Sequence, residues 1–250
     1  MRVVLVTGAG RNLGKEISRA FAMSGHAVVM NARSADAVEK GAAEIVEEGG
    51  RAVGMPGDVT SEEDVRRIFD ETRRRLGAVD VLVHCATTRV HRGFLDMSVE
   101  EWRLPFEVGL TGAFHCVRAA LPEMIERQWG RVIFLAGVSG QTGAANRAGV
   151  VAAKSGLIGL TRALALEFAA TGVTVNSVSP GLIDTERGEW TSQGDQSITT
   201  EHYRARKGQV PVGRMGRMSE VTAACRYLAS EDAGFVTGQT LNVNGGMYLG

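Results

Sequence analysis

Near its start the chain reads Val3-Val4-Leu5-Val6-Thr7-Gly8-Ala9-Gly10-Arg11-Asn12-Leu13-Gly14, a short apolar run that ends in a glycine-rich turn. A run that is apolar throughout is typical of a parallel strand covered on both faces. Glycines in the turn let the backbone approach a pyrophosphate, and a helix that begins there adds amide donors and the positive end of its dipole. We therefore predict a phosphate loop whose binding residues are Gly8, Gly10, Asn12, Leu13 and Gly14. The alternative is a tight turn without a ligand.

Short β-branched runs and longer helical patterns alternate along the rest of the chain. The predicted strands are Val3–Thr7, Ala27–Asn31, Arg51–Met55, Val79–His84, Arg131–Ala136, Val173–Val178 and Thr240–Val243. The predicted helices are Leu13–Ser24, Ala35–Glu48, Glu62–Leu76, Val99–Arg127, Arg147–Ala170 and Ser219–Ala229. This alternation predicts an α/β fold, a Rossmann-type doubly wound sheet of seven parallel strands with helices on both faces. Because no repeat or linker divides the chain, we expect one dinucleotide-binding domain over residues 1–250.

Residues 185–208 differ in composition from the rest. They are rich in Thr, Gln, Glu and Arg, and they follow Pro180-Gly181 at the end of a predicted strand. In an open α/β sheet, segments beyond the carboxyl ends of the strands wall the ligand crevice. We predict that 185–208 is a substrate lid within the single domain.

The end of the second strand bears on the choice of dinucleotide. Sites for NAD usually place Asp or Glu there to hold the ribose 2′-hydroxyl. This chain has Asn31-Ala32-Arg33-Ser34 instead. A guanidinium without a nearby acid favours a 2′-phosphate, so we expect NADP(H) more than NAD(H), with Arg33 as its ligand. The alternative is a solvated arginine at the start of a helix.

Composition excludes several other functions. Lys+Arg and Asp+Glu number 28 each, and neither a basic stripe nor a charged tail is present, so we expect no nucleic-acid partner. Cys85, Cys116 and Cys225 lack metal-ligand spacing, which predicts reduced thiols and no metal site. The first strand is too short for a signal-peptide core, and no uninterrupted apolar run reaches membrane-spanning length. We expect a cytoplasmic protein with no membrane partner.

Four motifs carry a family resemblance: Thr7-Gly8 to Gly14, Asp58-Val59-Thr60, the run from Asn176 to Thr185, and the closing run from Thr237 to Gly246. With them the whole chain resembles the short-chain dehydrogenase/reductase family, and within it the β-ketoacyl-ACP-reductase-like branch. The resemblance implies that Asp58 and Val59 hold the adenine and that Lys154 holds the nicotinamide ribose. It also implies a nicotinamide side formed by Pro180, Gly181, Ile183 and Thr185.

The chain departs from the family pattern at the positions that carry the chemistry. Where the family has Asn-Asn-Ala-Gly after the fourth strand, this chain has His84-Cys85-Ala86-Thr87, and Asn12 replaces the middle glycine of the phosphate loop. The family's active-site Asn, Ser and Tyr fall on Gly109, Gly137 and Val150. Of that catalytic tetrad only Lys154 remains.

The lost side chains deliver the proton and fix the carbonyl in the family's ketone reduction. Removing a positioned acid typically costs roughly 10²–10⁴ in rate. Three residues are candidates to take over the role of the missing catalytic side chains. Arg147 cannot donate a proton near neutral pH, but it can hold an oxyanion or a carboxylate. His91, on a predicted rim loop, is a candidate acid whose alternative is a solvated histidine, and Ser139 has a hydroxyl without an adjacent base.

Three functions remain open from the sequence. The first is a catalytically degenerate subunit of an NAD(P)-dependent dehydrogenase that acts on an acyl thioester or a similar carbonyl or hydroxyl substrate. The second is an active enzyme with altered chemistry, such as C=C reduction, isomerisation or cyclisation. The third is a dinucleotide-binding sensor.

Two features bear on partners. The family assembles through its long fourth and fifth helices, and small residues on the fifth permit close approach: Ala152, Ala153, Gly156, Gly159, Ala163 and Ala165. We expect a homo- or hetero-oligomer, a dimer or tetramer, which in the second case contains an active reductase subunit. Cationic side chains flank the predicted crevice: Arg89, Arg92, Arg147, Arg187, Arg204, Arg206 and Lys207. They are compatible with a small-molecule CoA or acyl-carrier thioester and, equally, with a solvated surface.

Overall fold

Seven parallel strands form one sheet in the computed structural model, which describes residues 1–185 and 206–250. The strands are β1 (Val3–Thr7), β2 (Ala27–Ala32), β3 (Arg51–Pro56), β4 (Val81–His84), β5 (Gly130–Leu135), β6 (Val173–Pro180) and β7 (Thr240–Val243). Their order is β3-β2-β1-β4-β5-β6-β7, and every neighbouring pair is parallel. The predicted seven-stranded Rossmann-type sheet is confirmed.

The order of the strands reverses beside β1. Strands β2 and β3 lie on one side of it, and β4 to β7 lie on the other. The register pairs Thr7 with His84, the last residues of β1 and β4. In doubly wound sheets, ligands bind beyond the carboxyl ends of the strands at this switch point. The loops that follow β1 and β4 are therefore the expected place for a ligand.

Helices cover both faces of the sheet. They are α1 (Asn12–Ala22), α2 (Ala35–Glu47), α3 (Glu62–Leu76), α4 (Val99–Phe106), α5 (Gly112–Glu126), α6 (Ser139–Thr142), α7 (Ala148–Phe168) and α8 (Met218–Ala229). On one face, Ile17 and Phe21 of α1 share a core with Leu228 of α8. On the other, Met124 of α5 and Leu157 of α7 belong to a second core. Burial of these apolar faces, at about 25 cal/mol per Å², is the main force that holds the layers together.

The long helix predicted over Val99–Arg127 is interrupted. A π-helical turn, Glu107–Thr111, separates α4 from α5. Pro105 lies just before the turn, and it removes one N–H from the regular hydrogen-bond ladder. π turns are rare and often occur at functional sites. This one contains Gly109, the position where the family resemblance implies an asparagine.

Only the ends of the predicted lid are described. Thr185 is buried, and Arg206–Gln209 form a 3₁₀ turn. The rest of 185–208 lies outside the described residues, and it includes Arg187 and Arg204. The lid therefore stays a prediction.

Helix α7 is the longest helix in the described ranges. With the 3₁₀ turn that follows, it spans Ala148–Thr171, and within those ranges it is the one helix long and apolar enough to cross a membrane. The same length and composition occur in core helices of globular proteins. Helix α7 packs on β6, α4 and α6, and it contains Lys154 and Arg162, so its contacts are those of a layer on the sheet.

The small residues of α7 divide between two environments. Ala153 and Ala165 are buried within the chain, and a Cβ added to Gly156 would lie 3.0 Å from Leu110 Cδ2. Gly159, in contrast, has open space around its Cα, and Ala163 is exposed. Half of the predicted interface set therefore serves packing inside this chain.

Candidate functional site

The turn after β1 requires glycine at two positions. Gly8 has φ +64°, and a Cβ there would lie 2.8 Å from the backbone of Ala86. A Cβ on Gly14 would lie 2.2 Å from the carbonyl oxygen of Gly8. Both distances are shorter than a real contact allows. The loop after β1 thus lies directly on the loop after β4 and on the first turn of α1.

Asn12 adopts the conformation that a glycine would be expected to supply. Its φ is +45°, in the left-handed region, which Asn tolerates better than most residues. Leu13 follows it, half-buried, in the first turn of α1. A Cβ on Gly10 would meet the Cβ atoms of Ala37 and Ala32 at 3.3 and 3.4 Å, so the loop lies close to the turn after β2.

Guanidinium groups gather beside this loop. Burial, and then the positive charges of Arg89 and Arg33, lower the pKa of Arg11. Arg11, Arg33 and Arg89 come from three different loops, after β1, β2 and β4. The electrostatic potential beside the loop after β1 is therefore positive.

Next to this arginine group lies a buried amide. Asn31 Nδ2 donates to the carbonyl oxygens of Met55 and Gly57, both at 3.1 Å. Asn31 Oδ1 is buried and has no hydrogen-bond partner in the described part of the chain. Buried polar atoms without a partner are uncommon, so this oxygen is a candidate contact for a ligand.

Asp58 and Val59, the predicted adenine residues, follow β3. Asp58 Oδ1 accepts from the backbone N–H and the hydroxyl of Thr60, each at 2.9 Å, which fixes the carboxylate. Val59 is buried, and its carbonyl oxygen lies 3.1 Å from His115 Nδ1 on α5. His115 therefore contacts the protein backbone at this point.

A buried hydrogen-bond network joins the ends of β1 and β4. The hydroxyl of Thr7 accepts from the N–H groups of Cys85 and Ala86, both at 3.2 Å. It lies 3.0 Å from His84 Nδ1, and His84 Nε2 lies 3.1 Å from the carbonyl oxygen of Gly109. The Gly109 carbonyl oxygen can only accept, so Nε2 of the neutral ring carries the proton and donates to it. Nδ1 then accepts the proton of the Thr7 hydroxyl.

The His84 imidazole is neutral in this network. Its complete burial lowers its pKa to about 4, against the opposing effect of its hydrogen bonds with the backbone of Gly109 and Val108. A second proton on Nδ1 would make the ring a donor to the Thr7 hydroxyl oxygen, which already accepts from two backbone N–H groups. His84 therefore connects the phosphate loop, through Thr7, to the π turn of the long helix.

Lys154, on α7, is the one residue that remains of the family's catalytic tetrad. Its Nζ donates to the carbonyl oxygens of Ala136 and, at 3.4 Å, of Leu135, both at the end of β5. Gly137 has φ +90°, and a Cβ there would lie 3.2 Å from Lys154 Nζ. Val150, one turn before Lys154, is buried. The structure brings Lys154 and Gly137 together, and neither Gly137 nor Val150 has a side-chain donor.

Burial lowers the pKa of Lys154 to about 8, and the charges of Arg147 and Arg89 act in the same direction against an opposing effect of Cys85. Burial also raises the pKa of the Cys85 thiol to about 11. The thiol is therefore protonated near neutral pH, and the local field is positive.

The three candidate substitutes occupy different places. Arg147 caps α7 with a non-helical backbone, so the prediction that it lies within the helix is wrong by one residue. Ser139 starts the short helix α6, where the sequence predicts a loop. His91 lies half-buried in the loop after β4, and this loop is joined to the segment before α7 by the Arg92 N–H, which donates to the Asn146 carbonyl oxygen at 2.8 Å.

The predicted nicotinamide residues line the end of β6. The Val138 N–H donates to the carbonyl oxygen of Pro180, and a Cβ on Gly181 would lie 2.8 Å from Asn244 Cα. Ile183 is buried and forms a β-bridge with Gly216, and Thr185 is buried as well. These residues form a wall at the same edge of the sheet as the phosphate loop.

The described residues fit a dinucleotide. A glycine turn over a helix N-terminus, three guanidinium groups beside it and an orphan amide oxygen at Asn31 match a phosphorylated adenosine. Among the parts of the chain that the structure describes, no group of His, Cys, Asp or Glu is arranged to hold a metal ion.

Two features of the site have no counterpart in the sequence prediction: the network around Thr7 and the placement of Arg11. Thr7 reads as the last residue of a strand, and its pairing with His84 bridges 77 residues of sequence. Arg11 belongs to the predicted phosphate loop, but a charge on a loop gives no sign of which other loops it will meet.

Comparison with known proteins assigns this chain to a family. The family model described as "Enoyl-(Acyl carrier protein) reductase" matches residues 8–248. The 3-oxoacyl-[acyl-carrier-protein] reductase FabG of Vibrio cholerae is 38% identical over 249 residues, which cover 99% of this chain and 98% of the relative. The 3-oxoacyl-[acyl-carrier-protein] reductase of Synechocystis is 36% identical and covers 99% and 97%.

A solved structure agrees with the sequence relatives. A variant of actinorhodin polyketide ketoreductase, crystallised with NADPH, has a TM-score of 0.91 and 35% identity, with 98% of this chain and 97% of that one covered. The chain belongs to the short-chain dehydrogenase/reductase family of oxidoreductases. Within the family it lies on the branch of the FabG-like 3-oxoacyl-[acyl-carrier-protein] reductases.

Proposed function

We propose that this chain is an NADP(H)-binding oxidoreductase subunit for an acyl-thioester or similar carbonyl substrate, and that its own site performs little ordinary ketoreduction. One observation carries the proposal. Lys154 donates to β5 carbonyl oxygens, and the residues Gly109, Gly137 and Val150 supply no side-chain donor to a substrate oxygen. A hydride acceptor without a positioned acid is reduced slowly.

The cofactor is assigned to residues at the carboxyl edge of the sheet. Backbone N–H groups of the turn over α1 would hold the pyrophosphate, and Arg33 with Arg11 would hold a 2′-phosphate. Asp58 and Val59 would bound the adenine. The actinorhodin ketoreductase variant binds NADPH in its crystal structure, which supports the same cofactor here. The remaining proposed contacts are Gly8, Gly10, Asn12, Leu13, Gly14, Lys154, Pro180, Gly181, Ile183 and Thr185.

The proposed mechanism divides the reaction between cofactor and protein. When bound, the nicotinamide supplies hydride to a carbonyl carbon. The chain's own residues would bind and orient the substrate: the wall of Pro180, Gly181 and Ile183 would exclude water, and the Lys154 ammonium beside Gly137 would supply a positive charge. A proton for the substrate oxygen then has to come from water or from an unusual donor, which accounts for the low rate that we expect.

A steady-state assay tests the proposed deficiency. With NADPH and a β-ketoacyl thioester, the purified chain should turn over several orders of magnitude more slowly than a relative that has all four catalytic residues. Loss of the acid alone accounts for roughly 10²–10⁴, and loss of a carbonyl anchor adds to it without strict additivity. Ordinary rates from this chain would show that its site is competent and would overturn the proposal.

Cofactor binding gives a separate test. Titration of NADPH fluorescence should give tighter binding than NADH, and Arg33→Ala should reduce that preference. The matched control is Arg51→Ala, an exposed arginine at the start of β3. Equal affinity of the wild-type protein for the two cofactors would contradict the assignment of Arg33.

A subunit with little activity needs a partner to have an enzymatic function. The relatives are named as reductases of 3-oxoacyl-[acyl-carrier-protein], which supports the same substrate class for a complex that contains this chain. A cytoplasmic location is part of the proposal and is compatible with three cysteines that form no disulfide. Purification of the tagged chain from its native source should bring with it a second reductase chain that has the complete tetrad.

A second candidate is an active enzyme with altered chemistry, and one observation favours it. Burial lowers the pKa of Lys154 to about 8, so its ammonium can release a proton more readily than an ordinary lysine. In that case turnover of the isolated chain should fall as the pH rises through about 8, and Lys154→Met should abolish it.

A further inference from the structure

We propose that His115, on α5, is a positioning residue for the adenine end of the cofactor. It acts through Val59, whose carbonyl oxygen it holds, and so fixes the segment that follows β3. The proposal rests on the proposed function, which assigns the adenine to Asp58 and Val59. It adds a residue that lies outside the sequence motifs of the cofactor site, on a helix whose buried side shares a core with Val59.

Local hydrogen bonds hold most of the segment that follows β3. The Asp58 N–H donates to Asp64 Oδ2 at 2.9 Å, and the Asp58 carbonyl oxygen accepts from the Ser61 N–H at 3.0 Å. The more distant of these partners is only 6 residues from Asp58. The contact between the Val59 carbonyl oxygen and His115 Nδ1, at 3.1 Å, is different, because it reaches 56 residues along the chain. It ties this segment to a helix of the layer on the sheet.

Helix α5 meets Val59 at two points. The first is Gly112, where an added Cβ would lie 2.7 Å from Val59 Cγ2, so the helix backbone lies directly on the Val59 side chain. The second is His115, which follows Gly112 at a spacing that places both on the same face of the helix. Val59 is 5% exposed. Its side chain and its carbonyl oxygen are therefore both held against α5.

The chemistry of the contact determines what its loss would do. A carbonyl oxygen can only accept, so His115 Nδ1 carries the hydrogen and donates to Val59. Without that donor, the carbonyl oxygen of a buried residue loses this partner, and the segment is free to turn toward another one. A turn at Val59 would displace the wall of the adenine site. The glycine turn after β1 lies two strands away in the sheet, so we expect the effect to be confined to the adenosine half of the cofactor.

The experiment compares NADPH with adenosine 2′,5′-bisphosphate, which contains only the adenosine half. Binding of NADPH to the full chain is followed by its fluorescence, and the bisphosphate is titrated as a competitor. His115→Leu removes the donor, whereas His115→Asn keeps one, because the Asn amide nitrogen and the His Nδ1 are both bonded to Cγ. We expect His115→Leu to weaken both ligands by the same factor, about five- to tenfold, the size of one neutral hydrogen bond. His115→Asn should restore both affinities to within about twofold of the wild type.

His26→Leu is the matched control and should change neither affinity. His26 Nδ1 also contacts the backbone, the Arg2 N–H at 3.3 Å, but at the amino ends of β1 and β2. His115→Ala, a good helix former without a donor, repeats the test if far-UV circular dichroism shows that leucine impairs folding.

Three outcomes would each overturn the role of His115 while the cofactor assignment stands: unchanged affinities in His115→Leu, a loss for NADPH alone, or no recovery in His115→Asn. Failure of the wild-type protein to bind NADPH, or of the bisphosphate to displace it, refutes the proposed cofactor site itself, and this proposal with it.

Discussion

Gly137 shows how a single backbone angle governs the site. At φ +90°, only glycine avoids strain, and the space beside it is taken by Lys154 Nζ. A side chain at 137 therefore requires both a change in backbone and a displacement of the ammonium. The conformation of the loop after β5 therefore favours glycine over serine at position 137.

We predict that Gly137→Ala lowers the free energy of unfolding by about 1–2 kcal/mol, the usual cost of a left-handed L-residue. Urea unfolding measures it. Gly49→Ala is the control for strain alone, because Gly49 has the same φ of +90° and open space around it. Any excess at 137 over 49 measures the contact with Lys154. A neutral or stabilising Gly137→Ala would show that the loop adopts another conformation.

His84 makes stability depend on pH in a calculable direction. Its pKa is about 4 in the folded chain and 6.5 as a free side chain, so the unfolded state takes up the proton first. The stabilisation is complete above pH 6.5 and is lost as the pH falls toward about 4, by ~3 kcal/mol. His84→Gln should remove this contribution.

Unfolding free energies of the wild type and of His84→Gln, measured from about pH 7 to about pH 4, provide the check. The difference between the two proteins isolates His84 from His26, whose pKa is also lowered, mainly by burial. Parallel pH curves for the two proteins would mean that His84 is not buried as a neutral ring.

At the scale of elements, the π turn and the start of α7 determine the shape of the crevice. The turn presents the Gly109 carbonyl oxygen to His84, and α4 packs against the first turn of α7, where a Cβ on Gly149 would lie 3.0 Å from the carbonyl oxygen of Trp102. Helices α4 and α7 are therefore packed against each other, and Arg92 of the loop after β4 is bonded to Glu101 of α4.

This coupling predicts the outcome of restoring the catalytic side chains. Val150→Tyr with Gly137→Ser should give only a weak gain in kcat/KM, because the serine meets a strained φ and Lys154. A larger gain should need Gly109→Asn as well, where an added Cβ meets Ala153 Cβ at an ordinary contact distance of 3.9 Å. A misplacement of ~1 Å costs on the order of 10²-fold in rate.

Steady-state ketoreduction by the double and triple variants is the measurement, with the wild type as the baseline. Near-complete rescue by the double variant would contradict the prediction. It would mean that the crevice keeps the geometry of an ordinary reductase and has lost only side chains.

At the scale of the whole molecule, the outer faces of α5 and α7 leave apolar side chains in water. Phe114 is 50% exposed, and Leu166 is 82% exposed. Single exposed apolar residues are common, but two on helices that the family uses for assembly fit an interface. We predict that Phe114→Asp with Leu166→Asp lowers the assembled mass in sedimentation experiments. Val46→Asp, on the exposed side of α2, is the control and should leave the mass unchanged.

The sequence by itself determined the sheet and the glycine turn after β1. Strands β1 and β7 have the predicted ends, and the other strands differ by at most a few residues. Local rules suffice for them, because a buried parallel strand is apolar along its whole length and a glycine turn is marked by its own residues. Strand β4 begins later than predicted and β6 ends later, since strand ends depend on which neighbour is still paired.

Only the tertiary structure decided how the crevice is built. The link from Thr7 to His84 joins residues 77 apart, and that from His84 to Gly109 joins residues 25 apart. The positive φ of Gly137 and the π turn at Gly109 likewise depend on contacts between distant segments. Periodicity and propensity describe neighbours along the chain, whereas the charge, strain and hydrogen bonding of a site are set by neighbours in space.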